Sequence, residues 1–133
     1  MRCVVVFGST GSIGTQALDI IRQFPDKFSL GGISGFSNMD CLVNQSNEFN
    51  PPVLCVHSLD QRDAINDKLN YEPQILIGPD GLIEMSQTGV IDYIEVGPGK
   101  VLTGMVKRTL KNVNCFSINS ITDIKNLNDK FKK

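Results

Sequence analysis

Gly8, Gly11 and Gly14 recur at every third position of Val4-Val5-Val6-Phe7-Gly8-Ser9-Thr10-Gly11-Ser12-Ile13-Gly14, between an apolar run and an amphipathic one. Glycines at this spacing act through the side chains they lack. Gly8 lets the chain turn sharply out of a strand, Gly11 clears the path by which a pyrophosphate approaches the backbone, and Gly14 lets the next helix pack closely. The helix N-terminus behind them offers unpaired N–H groups and a positive dipole end to phosphate oxygens. Thr10 and Ser12 add hydroxyl donors at that mouth. The spacing is Gly-x-x-Gly-x-x-Gly, one residue wider than the fingerprint of NAD sites. The bland alternative is a tight turn that holds no ligand.

A second position bears on the same chemistry. An NAD site carries an acid at the end of its second strand, to hold the ribose 2′-hydroxyl. Here that stretch is Ser34-Gly35-Phe36-Ser37-Asn38, with no acid before Asp40. Nothing in it repels a 2′-phosphate, and Ser37 and Asn38 can donate to one, so NADP(H) is favoured over NAD(H). A plain Ser/Asn helix cap fits the same residues. Further on, Gly97-Pro98-Gly99-Lys100 is another glycine turn before a helix, with N–H groups and Lys100 suited to an anion; a scaffold turn is the simpler reading.

No catalytic residue and no metal site are expected elsewhere. His57, the one histidine, closes an apolar strand and reads as structural. The four cysteines (Cys3, Cys41, Cys55, Cys115) lack Cys-x-x-Cys spacing, and Cys3 and Cys55 read as buried, reduced thiols.

Alternating elements must position these residues. Arg2 to Phe7 reads as a strand, apolar on both faces as in a covered parallel sheet. Ser12 to Gln23 reads as a helix with Ile13, Ala17, Leu18 and Ile21 on one face, ended by Phe24-Pro25-Asp26. Strands follow at Phe28–Ser34, Val53–His57 and Gln74–Ile77, with helices at about Met39–Phe49 and Asp60–Leu69, the latter capped by Asp60. A turn at Gly78-Pro79-Asp80-Gly81 precedes a short helix to about Thr88. Then come a strand Val90–Val96, a helix Lys100–Lys111, a strand Cys115–Ile118 and a terminal helix from Thr122 to about Lys132. Repeated strand–helix order with short connections implies an α/β fold: a three-layer, Rossmann-like, mostly parallel sheet in a single domain.

At 133 residues, with 41% hydrophobic and 20% charged residues, the chain suits one globular domain. No apolar run reaches the ~20 residues of a membrane span. The first residues lead straight into the glycine motif, so they read as strand and not leader, and a cytoplasmic location is expected. Residues 1–88 carry 5 basic and 10 acidic side chains, and residues 89–133 carry 8 and 4. These charges of −5 and +4 sum to −1 and suggest halves of separate origin. The basic residues lack interleaved aromatics, so nucleic acid is not an expected partner.

Phe7-Gly8-Ser9-Thr10-Gly11-Ser12-Ile13-Gly14-Thr15-Gln16, Leu18-Asp19-Ile20-Ile21-Arg22 and Pro25-Asp26-Lys27-Phe28 resemble the opening of the 1-deoxy-D-xylulose 5-phosphate reductoisomerases. The resemblance continues through Asn38, Glu48-Phe49-Asn50-Pro51 and Ile77-Gly78-Pro79-Asp80-Gly81-Leu82, covering about residues 1–85. It implies a non-mevalonate isoprenoid enzyme that uses NADPH and a divalent metal, with Thr10, Gly11, Ser12, Ile13 and Asn38 at the cofactor. Where that family commonly has Gly then Lys or Arg before the Asn, this chain has Phe36 and Ser37, which weakens the grip on a 2′-phosphate. The family's Asn-Lys-Glu segment and metal-binding carboxylates have no counterpart here, so its metal-assisted chemistry is not expected.

Gly89 to Arg108, together with Ser117-Ile118-Asn119-Ser120, resembles the C-terminal segment of malonyl-CoA:acyl-carrier-protein transacylases, over about residues 82–133. The nucleophile elbow of that family is absent. The expected organisation is a reductoisomerase-like NADPH-binding segment, 1–85, and a transacylase-like segment, 86–133, packed into the same domain with the join between Gly81 and Gly89. Strand Val90–Val96 is expected to extend the sheet of Val4–Phe7. The leading reading is nucleotide binding at Gly8, Thr10, Gly11, Ser12, Ile13, Gly14, Ser37 and Asn38, without catalysis by this chain alone. Two readings stand beside it: a relic of gene fusion with no ligand, and a transacylase-related partner of acyl carrier protein.

Overall fold

The computed structural model describes residues 2–86, 92–96, 104, 107–108, 112–118 and 120–131. The chain divides into two compact units, Met1–Thr88 and Gly89–Lys133.

The first unit alternates strand and helix throughout: β1 (Arg2–Val6), α1 (Ser12–Gln23), β2 (Phe28–Ser34), α2 (Met39–Phe49), β3 (Val53–Val56), α3 (Leu59–Asn66), β4 (Gln74–Ile77) and α4 (Gly78–Ser86). The four strands form one parallel sheet in the order β1-β2-β3-β4. Each step moves the same way across the sheet, so right-handed crossovers carry α1, α2 and α3 over one face. Side-chain alternation along the strands sorts the core accordingly. Val6, Leu54 and Val56 pack with Leu18 and Ile21 of α1, Leu42 and Val43 of α2, and Ile65 of α3. The intervening Val53 and Cys55 pack with Met85 of α4, beside Val5, Phe7, Leu76 and Leu82. Helices cover both faces, and the unit is a three-layer, Rossmann-like α/β sheet.

One irregularity falls in β2. The register steps from Val4 opposite Leu30 to Val5 opposite Gly32, so the chain bulges at Gly31. The extra residue brings Leu30 and Ile33 onto the same face, both in the core under the helices. Gly32 makes room on the other face, where a Cβ would lie 2.8 Å from Met85 Sδ.

Several sequence expectations change in detail. Ile13 does not join the buried stripe of α1 but stands 47% exposed, because its turn lies beyond the sheet edge, at the loop. Cys3 is exposed on β1, not buried, whereas Cys55 is buried as expected. Ser58, not Asp60, caps α3, its Oγ accepting from Gln61 N–H at 3.3 Å. Gly78 to Gly81 form the first turn of α4, not a turn ahead of it, with Gly78 at φ +67° breaking the chain out of β4.

In the second unit, β5 (Asp92–Val96) and β6 (Asn114–Ile118) form a two-stranded parallel sheet, followed by α5 (Ile121–Phe131). The expectation that Val90–Val96 extends the first sheet fails: β5 pairs with β6, and the sheet of β1 contains β1 to β4 alone among the described residues. Glycine turn Gly97–Lys100 lies outside the described residues, as does most of the helix expected over Lys100–Lys111, of which Gly104, Lys107 and Arg108 are helical. No helix among the described residues is long and apolar enough to cross a membrane.

Candidate nucleotide-binding site

In open α/β sheets, ligands bind outside the carboxyl ends of the strands. Here that edge carries the loop from β1 into α1 and the turn from β2 into α2. The first loop needs glycine at two positions for different reasons. Gly8 lies at φ +67°, in the left-handed region, and the turn closes where Gly11 N–H donates to Gly8 O at 3.1 Å. Gly14 sits where α1 meets the loop: a Cβ there would lie 2.3 Å from Gly8 O and 2.6 Å from Ser9 Cα. Gly11 is different. Its φ is −76°, and a Cβ would meet nothing nearer than Gly8 O at 3.5 Å, so the fold itself does not demand a glycine here.

The mouth of α1 suits an anion. Gly11 caps the helix with no side-chain hydrogen bond, and the first turn contains no acid. The N–H groups there have no side-chain cap, and no carboxylate opposes the positive end of the helix dipole. Gly8, Gly11, Ser12 and Ile13 are exposed, Thr10 is half-buried and Gly14 is buried. Thr15 closes the first turn from within, its Oγ1 donating to Gly11 O at 2.7 Å.

A buried polar network holds this loop in place. Ser9 is 0% exposed, and its Oγ donates to Gln45 Oε1 at 2.7 Å. Gln45 of α2 returns the contact, Nε2 donating to Ser9 O at 2.9 Å. Ser9 N–H donates to Ser34 O at 2.9 Å, and Gly8 N–H to Ser34 Oγ at 2.9 Å. Ser9, Ser34 and Gln45 were not among the sequence candidates. They reach one another across 25 to 36 residues, so no local spacing marks them.

At the second position, Ser37 and Asn38 are both exposed at the start of α2. Asn38 is the N-cap of that helix, its Oδ1 accepting from Cys41 N–H at 3.2 Å. The capping bond leaves its Nδ2 out of the cap. Gly35 N–H donates to Cys55 O at 3.2 Å, tying this turn to the end of β3. His57 just beyond is exposed, with its ring centroid 4.4 Å from that of Phe36.

Away from this edge, burial pushes the Cys55 thiol up to about 11 and the Tyr71 hydroxyl up to about 12. Tyr71 donates to Pro51 O at 2.8 Å. Arg22 pairs with Asp19 on its own helix and with Glu48 across on α2, and its hydrogen bonds hold the Glu48 carboxyl below its ordinary range. Among the described residues, no three His, Cys, Asp or Glu side chains gather as a metal site.

The sequence profile of the 1-deoxy-D-xylulose 5-phosphate reductoisomerases matches residues 4–107. The reductoisomerase of Thermoanaerobacter sp. (strain X514) is 40% identical over 85 residues, covering 64% of this chain and 22% of that protein. That of Rippkaea orientalis is 35% identical over 100 residues, 73% of this chain and 25% of its own. Among solved structures, a reductoisomerase with fosmidomycin and magnesium superposes at TM-score 0.72 and 28% identity, over 90% of this chain and 31% of that one. A complex with NADPH, fosmidomycin and magnesium shares the fold, at TM-score 0.69, 23% identity, and 88% and 36% coverage. The chain thus spans about a quarter of the curated relatives it matches, and the profile match runs past residue 85, the expected end of the reductoisomerase-like segment, to residue 107. The strand–glycine loop–helix opening, the parallel sheet behind it and a match over more than half its length together place this chain in the 1-deoxy-D-xylulose 5-phosphate reductoisomerase family.

Proposed function

We propose that this chain is the NADPH-binding part of a 1-deoxy-D-xylulose 5-phosphate reductoisomerase and does not reduce the sugar phosphate by itself. The observation that carries the reading is Gly11. Neither its φ of −76° nor its neighbours require glycine, so the missing side chain is explained by a phosphate approaching the mouth of α1. Gly8, Thr10, Gly11, Ser12, Ile13 and Gly14 would hold the pyrophosphate, and Ser37 and Asn38 the 2′-phosphate. NADPH, when bound, supplies a hydride. The chain's own residues orient it: backbone N–H groups meet the phosphates, and the exposed Ile13 covers one side.

The test is a titration with NADPH. The wild-type chain binds saturably, and Gly11→Asp, which sets a carboxylate where the phosphate would lie, abolishes binding while the fold persists. A folded wild-type chain that takes up no NADPH contradicts the reading.

A second reading concerns the C-terminal part, and the division at Thr88/Gly89 favours it because the division falls within the join expected from sequence. In this reading residues beyond the join descend from a transacylase, and their +4 charge meets an acidic acyl carrier protein. Binding of acyl carrier protein that is lost at 0.5 M salt supports it; no binding at low salt rejects it.

A further inference from the structure

The carboxyl ends of β2 and β3 carry an aromatic pair that the glycine loop does not use. Phe36 is 66% exposed, and its ring meets that of His57 at 4.4 Å between centroids and 55° between planes. Gln61 of α3 mounts both residues: its Nε2 donates to Phe36 O at 2.7 Å, and its Oε1 accepts from His57 N–H at 2.8 Å. The pair lies on the same edge as the glycine loop, since Gly8 N–H reaches Ser34 Oγ at 2.9 Å and Gly35 N–H reaches Cys55 O at 3.2 Å. Along that edge the order is glycine loop, Ser34, then Phe36 with Ser37 and Asn38. A dinucleotide presents its groups in a parallel order: pyrophosphate, ribose with its 2′-phosphate, then base.

We propose that Phe36 and His57 form a platform on which the adenine ring of the cofactor stacks. The proposal rests on the reading that this chain binds NADPH, and goes beyond it by assigning the base. A large apolar ring left two-thirds open to water, yet fixed at its backbone by a hydrogen bond, is suited to a flat partner. Stacking needs only a π face, which adenine supplies. With no Lys or Arg in Gly35–Asn38, the adenosine half is held by the base as well as by its 2′-phosphate.

The probes are NADPH and adenosine 2′,5′-bisphosphate, titrated calorimetrically into wild type, Phe36→Ala, Phe36→Trp and His57→Ala. Phe36→Ala weakens both probes about tenfold, as base–aromatic stacking does; Phe36→Trp keeps or improves affinity; and His57→Ala falls between. Inorganic pyrophosphate, which has no base, competes equally well with NADPH in wild type and Phe36→Ala once scaled to their NADPH affinities. Phe36→Ala binding both probes as tightly as wild type overturns the platform and leaves NADPH binding intact. A wild-type chain that binds neither probe overturns both, a result unlike the first. Phe36→Trp retains a ring at the site, so loss of affinity in a folded Phe36→Trp also counts against stacking.

Discussion

At the glycine-loop end of the site, Ser9 is 0% exposed and clamped by Gln45 through bonds of 2.7 and 2.9 Å. At the other end, Phe36 is 66% exposed and held at its backbone by Gln61 through a bond of 2.7 Å. Each end uses one glutamine reaching in from a helix, but Gln45 is buried and Gln61 is not. Under the proposed function, the difference follows from what each end would bind. A pyrophosphate is the same in every dinucleotide, so a fixed nest of N–H groups serves it, and burying the polar supports makes them rigid. A base and its ribose substituent vary, and an open surface lets side chains change without disturbing the core.

Substitutions at the two ends test this contrast. The largest effect is expected at Gly14, where any Cβ collides with the backbone of Gly8 and Ser9. Gly14→Val should destabilise the first unit by about 3 kcal/mol or more, read as a shift in the urea midpoint. Gln45→Leu comes next. It removes both bonds to Gln45, leaving the Ser9 hydroxyl only its longer bond to Ser34 O and the Ser9 carbonyl only its long one from Thr15 Oγ1, and should cost about 1–2 kcal/mol. Gln61→Ala, at the open end, should cost less than about 1 kcal/mol, because water replaces what it loses. Equal losses for the two glutamines would erase the contrast.

Smaller effects come from outside the site. Cys55 and Tyr71 are held neutral by burial, with the thiol at about 11 and the hydroxyl at about 12. The unfolded chain releases those protons at lower pH than the folded one. Stability is therefore fully present at neutral pH and declines as pH rises through 9 toward 11, and Cys55→Ala should remove part of that decline. Iodoacetamide at pH 8 should label exposed Cys3 and spare Cys55 until urea unfolds the chain. Smallest is Glu48→Gln, which breaks an exposed pair with Arg22 and should cost under about 1 kcal/mol.

The element order of the first unit was legible because each strand is a short apolar run and each helix has its own stripe. Helices at Ser12–Gln23 and Met39–Phe49 and the strand at Gln74–Ile77 lie where periodicity and the Pro and Asn breaks put them. What depends on the third dimension was not legible. The bulge at Gly31 is set by β1 pairing with β2, and the Ser9–Gln45 clamp joins residues 36 apart. Ile13 fits the stripe by period yet falls past the end of the sheet, where it is about half exposed. His57 closes an apolar run in the sequence, which says nothing of its exposure. It lies one residue beyond the end of β3, past the cover of the helices, and is exposed against Phe36.

The proposed function stands or falls on whether the Gly8–Gly14 loop is shaped for a dinucleotide phosphate. The most direct measurement is NADPH titration of the wild-type chain beside Gly11→Asp, with the urea midpoint of each recorded in the same buffer. Wild type should bind saturably and Gly11→Asp not at all, at closely similar midpoints. Unchanged NADPH binding in a folded Gly11→Asp would contradict the proposed function.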